Sequence, residues 1–362
     1  MQRIELAQPP RRVLIVKPSA VGDVVHGLPV LDLLKRRWPG AAVSWLVTPA
    51  CAGVLDGHPL LAEVIRFDRK RYGQAWRRPA ELRGLLDFAA GLRARRFDLA
   101  IDLQGLFRSG WLTFQTGAPV RVGLADAREM AGLFYTHRVN VGRREQHAVE
   151  RYLCVAEALG AGRGPVRFPF AATAADAASV AARVPPRYAV LFPGTNWPTK
   201  RWPAEKFAAL VNPLRERFGL EAVVAGAPNE VELGARVVGA AAYLAGKTTL
   251  NELVVLVAGA ALVVSNDSGP MHVAAALGRP LVVPFGPTNP VRTGPYGRPD
   301  SVVRLELPCS PCYSRRCSHQ TCLRGLEVEA VLAAAGRELE GERRRRTRPS
   351  STAPSPEGAE AP

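Results

Sequence analysis

The segment Ser265-Asn266-Asp267-Ser268-Gly269-Pro270-Met271-His272 joins an apolar run to an apolar helical pattern. With Pro270 near the first helical position, the unpaired N–H groups of that helix start point outward, and such a start holds phosphate. A helix cap explains Asp267 or Ser268 singly, but not Asp, Ser, Gly and His together at the end of a strand. A functional role is therefore expected for Asp267, Ser268, Gly269 and His272, with Asp267 and His272 flanking the helix opening. A second turn, Pro193-Gly194-Thr195-Asn196, is followed by Lys200. Backbone N–H groups, a hydroxyl and a lysine suit phosphate, and a surface lysine ahead of a helix starting near Pro203 is the alternative. A third, Gly226-Ala227-Pro228-Asn229-Glu230, ends in a carboxylate. It fits either a ribose-binding acid or a first-turn glutamate complementing a helix dipole.

Near the start, Lys17-Pro18-Ser19-Ala20-Val21-Gly22-Asp23 leads from an apolar run into a helix. Gly22 permits close approach to a ligand. Asp23 suits either a helix cap or a general base facing a cleft. The loop is neither G-x-G-x-x-G nor a Walker loop, and the chain has no H-E-x-x-H and no G-x-S-x-G, so dinucleotide, zincin and serine-hydrolase readings are weak. No D-x-D occurs, hence no obvious carboxylate pair for a divalent metal on a sugar diphosphate. Cys309, Cys312, Cys317 and Cys322 cluster around His319 at a spacing that is not a standard zinc pattern. A structural metal and a loop of reduced thiols both remain open.

These loops follow short apolar runs separated by helical patterns. Residues 12–16, 42–47, 63–67 and 99–103 read as strands in the first half; 188–192, 221–226, 261–266 and 280–286 read as strands in the second. Continuous apolar strands alternating with helices mean α/β, with parallel sheets covered on both faces. An alanine-rich helix ending at Val184 and the pair Pro185–Pro186 place a boundary between a domain of residues 1–184 and one of residues 187–342. Residues 327–339 read as a final amphipathic helix, and residues 343–362 as a disordered Pro/Ser-rich tail. Two doubly wound domains facing across a cleft is the expected architecture.

The 362 residues are 47% apolar and 22% charged, an ordinary globular balance. No run reaches the 18 or so apolar residues of a membrane span, and the N-terminus lacks a secretory profile, so a cytoplasmic protein is expected. The net charge is +16, of which residues 1–185 carry +11. That field favours an acidic partner. No RNP, zinc-finger or basic-helix signature accompanies it, so nucleic acid is not expected.

RVLIVKPSAVGDVVHGLPVL, DLAIDLQGLFRSG, FPGTNWPTKRWP, AGAPNE and SNDSGPMHVAAALGRPLVVPFGPTNP, in that order, resemble glycosyltransferase family 9, the ADP-heptose lipopolysaccharide heptosyltransferases. The resemblance runs from about Arg12 to Leu332. It implies a GT-B fold, with two Rossmann-like domains, the acceptor on the first and the nucleotide sugar on the second. It further implies inverting, metal-independent transfer of heptose from ADP-heptose to a Kdo or heptose acceptor of the lipopolysaccharide inner core. By motif, Asp23 corresponds to the catalytic base, which favours catalysis over the cap. Thr195, Lys200, Asp267, Ser268 and Gly269 match the diphosphate site, Glu230 the ribose acid, His272 the histidine of the same loop, and Thr248 a segment near the adenine. The acceptor would be polyanionic. Lys17, Ser19, Arg66, Arg69, Lys70, Arg108 and Arg121 are the contacts expected for it, with peripheral contact at the inner-membrane surface. The alternative is another sugar-nucleotide enzyme on the same plan, using a different donor or epimerising it.

Overall fold

The computed structural model describes residues 3–74, 77–143, 145–237 and 239–347. The first sheet consists of β1 (Arg12–Val16), β2 (Ala42–Val47), β3 (Glu63–Arg66), β4 (Leu99–Asp102), β5 (Val120–Leu124) and β6 (His137–Val139). The second consists of β7 (Tyr188–Phe192), β8 (Glu221–Val224), β9 (Ala242–Tyr243), β10 (Leu262–Ser265), β11 (Leu281–Pro284) and β12 (Val302–Val303). Their orders are β3-β2-β1-β4-β5-β6 and β12-β11-β10-β7-β8-β9, with every pairing parallel. Read from its own first strand, each sheet has the doubly wound order 3-2-1-4-5-6, so the direction in which successive strands are added reverses between β1 and β4 and again between β7 and β10. Ligands of open α/β sheets sit at such points, beyond the carboxyl ends of the strands.

Strand residues alternate between two cores, as a period of two requires. Leu14 and Val16 pack with Leu46, Leu92 and Leu112 on one face of the first sheet. Leu191 and Val264 pack with Trp202, Phe207 and Leu332 on one face of the second. The opposite faces share a single apolar cluster. It passes from Val13 and Ile15 through Val24, Val25 and Leu28 of the helix Val21–Arg37, then through Val273 and Ala274 of the helix Gly269–Ala276, to Val190 and Val263.

The two helix starts meet head to head, and glycine makes that approach possible. A Cβ on Gly22 would fall 2.2 Å from His272 Cδ2, and one on Gly269 would fall 3.2 Å from Val21 Cβ.

Four strands are not read from the sequence: β5, β6, β9 and β12, all short or interrupted by Arg or Gly. The alanine-rich helix spans Ala174–Ala181, ending before Val184. Although it precedes the proline pair, it packs on the second lobe: Ser179 Oγ donates to Glu252 Oε1 (2.5 Å) and Arg183 Nη1 to the Lys247 carbonyl (2.9 Å). The final helix runs Val328–Thr347, past the expected end at residue 339 and through the arginine run. The tail expected from residue 343 thus starts as helix; residues 348–362 lie outside the described residues.

Candidate active site between the lobes

In the front lobe, Ala20 is the cap residue of the helix Val21–Arg37, and Asp23 stands three residues in, where its Oδ2 accepts the Ala20 N–H (3.1 Å). Its other oxygen, Oδ1, lies 3.6 Å from Lys17 Nζ. Lys17 is 2% exposed, donates to the Leu103 carbonyl (3.2 Å) and lies 5.0 Å over the Tyr152 ring. Burial alone would lower this ammonium. The Asp23 carboxylate, Tyr152 and Asp102 together outweigh burial and hold it above its ordinary value. The Asp23 side chain stays 43% exposed. One carboxylate therefore supports the helix start and also opens to the cleft, so the cap and the base are compatible.

In the rear lobe, the loops after β7, β10 and β11 are joined around Asp267. Lys200 Nζ lies 2.7 Å from Asp267 Oδ2, and Thr288 Oγ1 donates to the same oxygen (2.6 Å). Thr195 Oγ1 donates to the Asp267 carbonyl (3.1 Å). Asn266 is buried, accepting from Trp202 N (2.9 Å) and donating to the Pro193 carbonyl (2.8 Å). Ser268 is the cap residue of the helix Gly269–Ala276, but its side chain makes no cap bond; its hydroxyl meets Ser265 Oγ at 3.2 Å. The first N–H groups of this helix thus remain available to an anion beside the Lys200 ammonium.

Glu230 Oε2 accepts the Ala227 N–H (2.9 Å). Its carboxyl lies so close over Gly194 that a Cβ there would come within 2.0 Å of Cδ. The Gly246 N–H donates to the Gly226 carbonyl (2.9 Å), which sets half-buried Thr248 beside the same loop.

Between the lobes lie three histidines. His26 Nε2 is 2.9 Å from His272 Nδ1, and the His26 and His147 ring centroids are 4.9 Å apart. His147 Nδ1 accepts the Val149 N–H (3.2 Å), so its Nε2 carries the proton it donates to the Gly294 carbonyl (3.0 Å), and the ring is neutral. Burial first, then the neighbouring rings, push His26 well below its ordinary value. Burial lowers His272 to about 4, against the pull of Asp267 and Asp23. Asp23 from one lobe and Asp267 from the other thus act on the same imidazole.

The expected acceptor contacts divide. Arg69 is exposed at the start of the short helix Arg69–Tyr72. Ser19 is half-buried in the Asp23 loop, while Lys70 and Arg108 are exposed. Arg66 is paired with Asp56 (2.5 Å). Two residues differ from expectation. Lys17 is buried beneath Asp23, where it serves that carboxylate rather than an acceptor. Arg121 is spent on the Phe134 and Ala118 carbonyls (2.9 and 2.7 Å), away from the cleft.

Thr288, His26 and His147 are not singled out by the sequence. Thr288 lies in FGPTNP, and His26 lies one helical turn past Asp23, which was the available signal. The clustered cysteines have free thiols: Cys309 and Cys312 are exposed, Cys317 and Cys322 half-buried, and burial with the neighbouring thiols raises Cys322. Among the described residues no three His, Cys, Asp or Glu side chains gather closely enough to hold a metal ion.

Two doubly wound sheets with their switch points opposed, a carboxylate on one and a cationic anion cradle on the other, define a GT-B glycosyltransferase. The chain belongs to glycosyltransferase family 9 (heptosyltransferase), whose model matches residues 85–323. It is 35% identical over 319 residues to lipopolysaccharide heptosyltransferase 1 of Pseudomonas aeruginosa, covering 85% of this chain and 88% of that protein. To lipopolysaccharide heptosyltransferase 2 of Escherichia coli it is 31% identical over 314 residues, covering 81% and 88%. Its structure superposes on E. coli heptosyltransferase WaaC with ADP-2-deoxy-2-fluoro heptose at a TM-score of 0.72, with 31% identity over 90% of this chain and 99% of that one. The chain is accordingly a glycosyltransferase acting on a sugar nucleotide.

Proposed function

We propose that the protein transfers heptose from ADP-heptose to a Kdo or heptose hydroxyl of the lipopolysaccharide inner core, with inversion and without a metal. The acceptor oxygen attacks the anomeric carbon while Asp23 takes its proton. The bond from that carbon to the β-phosphate oxygen breaks, and ADP leaves with the electron pair. Lys200 and the helix start at Gly269 stabilise the charge gathering on ADP, Thr195 and Ser268 offer hydroxyls, Glu230 takes the ribose and Thr248 lies toward the adenine. Arg69 and Arg108 meet acceptor phosphates. In this reading the protein works in the cytoplasm, where it meets a lipid-borne acceptor at the inner membrane.

The observation that carries it is that the His272 ring packs against Gly22, next to Asp23 in the front lobe, while the Lys200–Asp267 pair lies in the rear-lobe loop that precedes the His272 helix. The absence of D-x-D supports the metal-free form. The test supplies purified protein with ADP-heptose and either Kdo-lipid A or its heptosylated product, in EDTA, and follows ADP release and the mass and anomeric configuration of the product. Transfer with inverted configuration is expected. Turnover of UDP- or GDP-sugars in preference, free epimerised donor, or loss of activity in EDTA would each displace this reading.

A further inference from the structure

Nine large apolar side chains are exposed among the described residues, and four of them, Phe107, Phe114, Met130 and Leu133, fall on one side of the front lobe. Phe107 and Phe114 are two turns apart on the helix Phe107–Gln115, so they emerge on the same side. The Phe134 ring joins them, with its centroid 5.3 Å from that of Phe107 and 6.0 Å from that of Phe114. Met130 and Leu133 come from the turn of 3-10 helix Ala131–Phe134 and its preceding residue, and are 69% and 67% exposed. An exposed group of this kind marks a surface that something covers.

Its rim is cationic. The Arg121 guanidinium lies 5.4 Å over the Phe114 ring, Arg138 Nε donates to the Gly132 carbonyl (3.0 Å), and Arg108 and Arg128 are exposed beside Phe107 and Met130. The one carboxylate among them, Glu129, accepts the Phe107 N–H (3.3 Å). The face also starts at the acceptor side. Its helix follows the carboxyl end of β4, the strand next to β1, and the Arg128 N–H donates to the Gly105 carbonyl (2.8 Å).

We infer that this face docks on an anionic bilayer surface, with the aromatic, Leu and Met side chains entering the boundary between headgroups and acyl chains and the exposed Arg108, Arg128 and Arg138 meeting lipid phosphates. The inference rests on the reading of a lipid-borne acceptor, since docking here sets the Asp23 loop beside the lipid.

The test is flotation of the full chain with phosphatidylcholine vesicles, with and without phosphatidylglycerol. Binding to the anionic vesicles, weakened by salt, is expected. Phe114→Ser/Met130→Ser/Leu133→Ser lowers that affinity about tenfold or more. It leaves ADP release with a water-soluble, acyl-free acceptor unchanged. Met130→Trp alone strengthens vesicle binding, which guards against a triple variant that fails to fold. Vesicle affinity unchanged by both variants overturns the inference. So does a triple variant that loses self-association on gel filtration while still floating, because the face would then join two copies. Flotation uses neither donor nor acceptor, so its failure leaves the transfer reading standing, and failed transfer leaves the flotation result standing.

Discussion

His26 Nε2 and His272 Nδ1, one from each lobe, lie 2.9 Å apart, while His26 Nδ1 is buried without a partner among the described residues. A pair that shares one proton needs one of the two facing nitrogens bare, so both rings cannot be charged at once. Burial, the third ring of His147 and the ammonium groups of Lys17 and Lys200 keep protons off, while Asp23 and Asp267 pull the other way on His272. In the unfolded chain each ring titrates near its ordinary value of about 6.5. The folded state therefore binds fewer protons between about pH 4 and 6.5. Stability is full above that window and falls as pH drops through it, by up to about 1.4 kcal/mol per pH unit for each histidine. Buried Asp102, raised by desolvation, works in the opposite sense. Urea midpoints measured at about pH 7.5 and about 5.5 check this: the native chain loses stability, and His272→Gln loses less. An equal loss in the variant would mean that His272 carries none of the dependence.

Asp23 has two jobs that substitution separates. Asp23→Asn keeps an oxygen for the Ala20 N–H but cannot take a proton, so kcat falls about 10²- to 10⁴-fold, and melting falls because the buried Lys17 ammonium loses its counter-charge. Asp23→Ala loses the same activity and about 1 kcal/mol more of stability, because the Ala20 N–H loses its acceptor as well. ADP affinity by calorimetry stays unchanged in both. An asparagine variant that turns over normally would remove Asp23 from the chemistry.

Lys17→Met takes away the ammonium facing Asp23 Oδ1 and leaves the Leu103 carbonyl without its donor. The expected result is a fall in kcat of about tenfold or more, with the donor KM steady, because the lost charge acts on the base and not on ADP. A raised donor KM at normal kcat would place Lys17 in substrate binding instead.

The strands that frame the cleft were legible because β4, β7, β10 and β11 are buried end to end and so read as apolar runs, closed by the polar Asp102 in β4 and Ser265 in β10. β5, with Arg121 and Gly123 in VRVGL, and the two-residue β9 and β12 offered no such run. The anion loop was legible as a local string of unlike polar residues. The histidine cluster was not, since His26 and His272 are 246 residues apart and meet only because Gly22 lets the helix starts touch. Burial decides the fate of the cations: a basic residue in the sequence does not show whether it is free, and packing puts Lys17 under Asp23 and ties Arg121 to backbone carbonyls.

Lys200→Ala strips the buried Asp267 carboxylate of its counter-charge and leaves it, among the described residues, the Thr288 hydroxyl. A loss of about 3 kcal/mol in chemical denaturation is expected. ADP affinity should also fall about tenfold or more. Adding Asp267→Asn removes the stranded charge, so stability returns while ADP affinity does not. If both returned together, Lys200 would be acting only through Asp267.

Gly194 sits where the second sheet's first strand ends, and the Glu230 carboxyl occupies the space that any Cβ would need. Gly194→Ala therefore pushes Glu230 off its position while leaving Lys200, Asp267 and Asp23 in place. Its effect should be a raised donor KM, about tenfold, with kcat little changed, since ribose binding contributes equally before and during transfer. Glu230→Ala should give a similar increase. The double variant decides the route: when the alanine acts only by displacing Glu230, adding it to Glu230→Ala costs nothing more. A further loss in the double variant would show that Gly194 itself approaches the nucleotide, with its backbone as the contact.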